Sequence, residues 1–239
     1  MDNKLKLPFE EIVCLNLVER DDKYNKMNEI FTYLGIEDKV KFHRGVKHPL
    51  CDQLSTFIKQ NGLGNLTGHA FSCTREQYTI IKSAYLRGVN SLMIIEDDCW
   101  FYKDIDELQR YFDNLPDDWD ILRVNSLRGR TEEKYCSREE YENKLWVPVQ
   151  SAIYGTGCYC MTRTGMKAMI DWIDKNYDAI DMPLWYYWKI GVKMYIPKRP
   201  LALCFPEETI SDINVGNQKG GPQYYYLDIE DIDLSMYKY

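Results

Sequence analysis

Histidine is scarce in this chain of 239 residues: there are three, His43, His48 and His69. Zinc-type sites need clustered Cys and His. Cys158 and Cys160 would share a face of a strand, but no two further ligands stand near them in sequence, so no zinc site is expected. Cys14, Cys51, Cys73, Cys99, Cys136 and Cys204 are scattered. Long apolar runs are missing too, and nothing approaches the roughly 20 residues of a membrane-crossing helix. Met1 to Pro8 is Lys-rich without a secretory apolar core. Together these absences set the expectation of a cytoplasmic protein with free thiols. A basic run is also lacking. Lys and Arg number 30 against 37 Asp and Glu, giving a net charge of −7, which argues against a nucleic-acid partner. No Pro/Gly/Ser linker divides the chain, and no internal repeat is visible.

What is present is alternation. Ile12 to Leu17 reads as a buried strand. A helix follows, capped by Asp21 or Asp22, with Met27, Ile30, Phe31 and Leu34 on one face and Gly35 as its stop. Val40 to His43 is a second strand, and a short helix is expected around Leu54 to Lys59. Thr74-Arg75-Glu76-Gln77 has the form of a capping box opening a helix with Tyr78, Ile81, Ala84 and Tyr85 inward. The strand Ser91 to Ile95 follows. Asp104 starts a helix with Ile105, Leu108 and Phe112. Trp119 to Val124 and Cys158 to Met161 read as strands. Thr164 caps a helix with Met166, Met169, Ile170 and Ile173. Asp181 precedes a helix containing Pro183, Leu184 and Trp188, and Val192 to Ile196 is a last strand. Thr131 to Asn143 is charged and reads as a loop or exposed helix. Strands alternating with helices predict an α/β domain with a mostly parallel mixed sheet. The division expected is a folded domain over 1–215 and a Tyr-rich, acidic tail over 216–239, the latter expected to wrap the domain, to mediate self-association or to order only in part and with ligand.

The densest chemistry is Glu96-Asp97-Asp98, directly after the strand Ser91 to Ile95. Adjacent carboxylates repel and lose hydration when buried, so a fold keeps them where something positive sits. Hard cations such as Mn²⁺ or Mg²⁺, shared with phosphate, suit such a cluster. In open α/β sheets ligands bind beyond the carboxyl ends of strands. The alternative is an acidic turn whose Asp97 or Asp98 caps the next helix. An aspartyl phosphatase is disfavoured because Glu96 stands where its first Asp belongs.

Six blocks together resemble glycosyltransferase family 25, the lipooligosaccharide and collagen galactosyltransferase group. Val13 to Lys23 resembles the family's opening strand, and Gly68-His69-Ala70-Phe71-Ser72-Cys73 its Gly-Cys-Ala-Leu-Ser-His block. Ser91 to Asp98 is similar to its strand ending in Glu-Asp-Asp. Gly155-Thr156-Gly157-Cys158-Tyr159 resembles Gly-Thr-His-Ala-Tyr. Ile180-Asp181 with Trp185, and Ser211-Asp212-Ile213, resemble the last two blocks. Val18, Cys73 and Gly157 depart from the pattern, where the family has Asp, His and His.

The resemblance implies a GT-A fold and inverting transfer of a hexose, galactose or glucose, from a nucleotide sugar. The donor would be UDP-linked, the cation Mn²⁺ or Mg²⁺ and the acceptor a glycan hydroxyl. It implies Asp98 as first metal ligand, with Asp97 and Glu96 on metal or ribose. Leu15, Asn16, Leu17 and Arg20 would border the nucleotide, although Arg20 paired with Asp21 or Asp22 is an equal alternative. Gly155 and Thr156 would let backbone approach a sugar. Asp181 would be the base, Asp212 its reserve, while an N-cap role for Asp181 competes. Trp100, Trp185, Tyr186, Tyr187 and Trp188 are candidate sugar platforms, although most of them are expected in the core, as large aromatics usually are. The three departures motivate a second hypothesis, a weak or inactive binding scaffold on the same fold.

Overall fold

A computed structural model describes residues 4–50, 53, 56, 60, 68–125, 144–149, 155–176, 179–181, 187–204 and 233–239. Its centre is a seven-stranded sheet in the order β2-β1-β3-β7-β5-β8-β6. The strands are β1 (Glu11–Leu17), β2 (Val40–Gly45), β3 (Ser91–Glu96), β5 (Ile121–Arg123), β6 (Trp146–Pro148), β7 (Cys158–Thr162) and β8 (Met194–Pro197). The β1/β2, β1/β3 and β5/β8 pairs are parallel, while β7 and β6 run against their neighbours. This is the expected mixed sheet with parallel strands in the majority.

The apolar runs of β1 and β3 are buried on both faces, as strands covered by two helical layers must be. Ile12, Cys14, Met93 and Ile95 face one layer, with Met27, Ile30, Phe31 and Leu34 of helix α1 (Asp21–Leu34). Leu108 and Phe112 of α3 (Ile105–Phe112) join them. Val13, Leu15, Leu92 and Ile94 face the other layer. That layer holds Ile80, Ile81 and Ala84 of α2 (Gly68–Arg87) and Met166, Met169, Ile170 and Ile173 of α4 (Arg163–Asn176). The period-2 alternation of the strands therefore divides two cores between the two faces.

Several termini differ from the sequence reading. Asp21 is the first residue of α1 and not its cap; Arg20 holds the cap position without a side-chain bond. Gly35 stops the helix as expected, at φ +67° with Ile36 N–H donating to Phe31 O. The Thr74 box does not open α2, which begins six residues earlier at Gly68. Thr74 Oγ1 instead accepts from Ile180 N–H at 3.0 Å. Asp104 does cap α3, accepting from Glu107 N–H at 3.0 Å. Thr164 lies inside α4 and is not its cap. Residues 54, 55 and 57–59, 131–143 and 183–186 carried expectations that lie outside the described residues.

Three short strands escaped the sequence reading, β6 of the main sheet and two that lie outside it. β4 (Cys99–Phe101) and β9 (Ala202–Cys204) form a separate antiparallel pair beside the main sheet. Residues 233–239 pack there as well. Tyr237 Oη donates to Pro200 O, Tyr239 Oη to Phe101 O, and Lys103 N–H to Met236 O, at 2.7, 3.1 and 2.7 Å. Residues 205–232, with Tyr224, Tyr225, Tyr226 and the expected boundary at 216, lie outside the described residues. Cys14, Cys73, Cys99, Cys158, Cys160 and Cys204 are free thiols. Among the described residues no helix is long and apolar enough to cross a membrane.

Gly165 marks the corner where β7 passes into α4. A Cβ there would meet the backbone oxygen of Asp120 at 2.4 Å and Ile121 Cγ1 at 3.0 Å. Backbone cannot yield as a side chain does, so Gly165→Ala is expected to destabilise by about 1–3 kcal/mol, read as a lower urea midpoint.

Candidate active site

The sheet delivers its chemistry to one edge. Asn16 stands near the end of β1, Glu96 at the end of β3, and Asn125 just after β5. Gly155, Thr156 and Gly157 lead into the antiparallel β7 from that same edge. Asp97 and Asp98 form the two-residue turn between β3 and β4. They cap no helix, since α3 takes its cap from Asp104, so the acidic-cap alternative falls.

Each acid has its own surroundings. Asp97 is buried and meets Lys23 Nζ at 3.1 Å. Asn16 Nδ2 donates to its Oδ2 at 2.7 Å and also to Arg20 O at 3.0 Å. Glu96 Oε1 accepts from Thr156 Oγ1 at 2.6 Å and from Gln77 Nε2 at 2.7 Å. Gln77 is itself held by the Tyr159 hydroxyl, which donates to its Oε1 at 2.6 Å. Asp98 is left over: its Oδ1 is buried with no hydrogen-bond partner among the described residues. Asn16 Oδ1 and Asn125 Oδ1 are in the same condition. All three orphan atoms are acceptors, so the edge calls for donors or a cation.

The electrostatics agree. Burial first, then the Asp98 charge, pushes the Glu96 carboxyl up to about 7. Burial also pushes Asp97 up, against the pull of Lys23. The Cys73 thiol is driven upward by burial and by the charges of Glu96, Asp98 and Asp181. Negative charge is thus concentrated on a partly buried edge. Among the described residues no three His, Cys, Asp or Glu side chains converge as a complete metal-binding set. Mg²⁺ and Mn²⁺ do not require one, because they commonly take one or two carboxylates and fill the remaining positions with substrate phosphates and water. Asp98, with its orphan oxygen, fits that role. Asp97, neutralised inside the protein by Lys23, does not fit as a direct ligand.

Asp181 comes to the same edge through the 155 loop. Its Oδ2 accepts from Gly155 N–H at 3.1 Å. Gly155 adopts φ +84°, a conformation that favours glycine. Its carbonyl accepts from Arg123 Nη2. Arg123 is fully buried, which holds its guanidinium below the usual range. Arg20 grips Asp22 through two parallel bonds of 2.9 and 2.7 Å. That pair holds the Asp22 carboxyl down at about 2. Leu15 is core beneath α2, and Leu17 ends β1 half-buried. Val18, one of the departures, is 48% exposed at the strand end. Trp100 and Tyr187 are core and not sugar platforms, at 1% and 0% exposure. Asp212, Trp185, Tyr186 and the side chains of His69 and Trp188 lie outside the described residues.

Sequence reasoning missed Lys23, Gln77, Arg123 and Asn125. Lys23 entered the sequence reading only as the last residue of the block Val13 to Lys23, and Gln77 as part of a cap. Their partners are distant in sequence, so no local pattern marks them.

No protein-family model and no curated protein matches the chain. Among solved structures it is similar to a glycosyltransferase involved in the glycosylation of the major capsid of PBCV-1. Identity is 12% and the TM-score 0.44, over 78% of this chain and 79% of that one. It is similar to apo mouse xyloside xylosyltransferase 1 at 12% identity and a TM-score of 0.37, over 81% and 74%. A galactosyltransferase in complex with donor and acceptor sugar analogues gives 14% and 0.33, over 71% and 66%. Likenesses at this level say nothing of substrate or of residue roles, which rest on the site itself.

Two outcomes follow from the charges. Lys23→Met leaves Asp97 buried without its cation and is expected to cost about 3–5 kcal/mol. The double change Lys23→Met/Asp97→Asn recovers most of that loss in a denaturant double-mutant cycle. Glu96 holds its proton more tightly folded than unfolded, so its contribution is full at low pH. That contribution falls as pH rises from 4.5 through about 7. Glu96→Gln is therefore expected to raise the melting midpoint at about pH 8 and to change it little at about pH 5.

Proposed function

We propose that this protein is a glycosyltransferase of the family 25 kind. It would transfer a hexose, galactose or glucose, from a UDP-linked nucleotide sugar to a hydroxyl of a glycan acceptor, with inversion. One observation carries the reading. Four of the six sequence blocks, lying far apart in the chain, meet at one sheet edge around Asp98, whose buried oxygen has no partner among the described residues, and Gln77 joins them from outside the blocks. The links are Asn16 to Asp97, Gln77 and Thr156 to Glu96, and Gly155 to Asp181. The sixth block, with Asp212, lies outside the described residues.

Each residue then takes a role that its surroundings favour. Asp98 would hold Mn²⁺ or Mg²⁺, with Glu96 behind it. The cation would supply Lewis acidity toward the charge that builds on the leaving diphosphate. Asp97, fixed by Lys23, orients Asn16, whose remaining acceptor atom would take a donor from the nucleoside. Asp181 is the base that takes the acceptor hydroxyl's proton, held through Oδ2 by the Gly155 N–H. Asp212 is kept as its reserve. Gly155 and Thr156 bring backbone close to the sugar.

A second reading, a binding scaffold without turnover, is favoured by one feature: two of the three acids already have partners inside the protein. Turnover separates the readings. Incubated with UDP-galactose or UDP-glucose and Mn²⁺, the wild type is expected to release UDP. Asp98→Ala should lower that rate by at least about 100-fold, and Asp181→Asn by a similar factor at unchanged KM. Nucleotide-sugar binding without UDP release from any donor would move the conclusion to the scaffold.

A further inference from the structure

Glu96, Gly157 and Asn125 form a row across β3, β7 and β5 at the candidate edge. Glu96 N–H donates to Gly157 O at 2.7 Å, and Asn125 N–H donates to Cys158 O at 3.3 Å. Gly157 is one of the departures from the family pattern, and its surroundings give the departure a physical content. A Cβ built on it would meet Cys204 Sγ at 2.2 Å and Asn125 Nδ2 at 2.5 Å. The space that a side chain at 157 would take is therefore filled by Asn125, leaning across the glycine toward β3, and by Cys204.

Asn125 is 2% exposed. Its Nδ2 donates to Cys204 Sγ at 3.5 Å. Its Oδ1 is buried and has no partner among the described residues. A carboxamide oxygen left in this state costs free energy until a donor reaches it. The Asn carboxamide is neutral, and the Cys99 contact and burial push the flanking Cys204 thiol upward. What suits it is a neutral hydroxyl or N–H donor.

Resting on the transferase reading, we propose that Asn125 is the sugar-reading residue of this site. Its Oδ1 accepts a hydrogen bond from a hydroxyl of the transferred hexose, lying over Gly157 beside Asp98. Donor choice in this chain then depends on an Asn–Gly pairing between positions 125 and 157 in place of a side chain at 157. A site built to hydrogen-bond a hydroxyl discriminates strongly against ligands that lack or misplace it.

The test is calorimetric titration with Mn²⁺ of UDP, UDP-galactose, UDP-glucose, UDP-N-acetylglucosamine and UDP-xylose. Asn125→Leu is expected to leave UDP affinity within about twofold and to weaken the tightest UDP-sugar at least about tenfold, flattening the order of preference. Asn125→Asp, which keeps the acceptor oxygen, is expected to keep that order. If the Leu variant does not hold its fold by melting midpoint, Asn125→Ala is read in the same way. Parallel loss of UDP and UDP-sugars in the variant would assign Asn125 to shaping the edge and overturn the proposal, as would unchanged sugar preference. Wild type that binds none of the five ligands withdraws the transferase reading, and the role of Asn125 with it.

Discussion

Everything at the candidate site follows from the difficulty of burying three consecutive carboxylates at the end of a central strand. Asp97 is buried and Glu96 and Asp98 are half-buried, so water solvates them only in part, and their mutual repulsion grows in a low-dielectric setting. The fold answers each acid differently. Lys23 neutralises Asp97 from the first turn of α1, and Gln77 with Thr156 hydrogen-bonds Glu96 from α2 and the β7 lead-in. Asp98 receives no such partner among the described residues. The asymmetry leaves one unmet carboxylate, flanked by two unmet amide oxygens.

The sheet makes that asymmetry possible. β1 and β3 run parallel, so their carboxyl ends open on the same side, and antiparallel β7 brings its N-terminal lead-in to the same place. Residues as far apart as Asn16, Gln77, Asp97, Thr156 and Asp181 thereby reach one edge. The buried Arg123 and the left-handed Gly155 fix the loop that carries the Asp181 contact. The rigid parts of the site are thus strand ends and one helix face, and these hold polar groups more tightly than a free loop would.

Much of this was legible in the sequence. The stripe of Met27, Ile30, Phe31 and Leu34 has a helical period, while the apolar runs of β1 and β3 are as short as buried strands and too short for a helix. The acid triplet was legible because three charges after an apolar strand are costly wherever they are buried. Less was legible where the signal is nonlocal or short. β4, β6 and β9 have three residues each, too few to show a period. Lys23 and Gln77 resemble surface residues until their partners, 74 and 19 positions away, are in place. The Thr74 box matched the cap pattern and was overridden because both of its polar side chains are spent on long-range bonds. Gly157 was visible as a departure, but what fills its space, Asn125 and Cys204, could be read only from the fold.

The claim that ties these pieces together is that the edge around Asp98 is a cation and diphosphate site. Crystals grown with UDP and Mn²⁺, measured at a wavelength where manganese scatters anomalously, test it directly. The account predicts an anomalous peak within ligand distance of Asp98, with the diphosphate against it and the uridine toward Asn16. Manganese and UDP bound elsewhere on the protein, with Asp98 untouched, would contradict it.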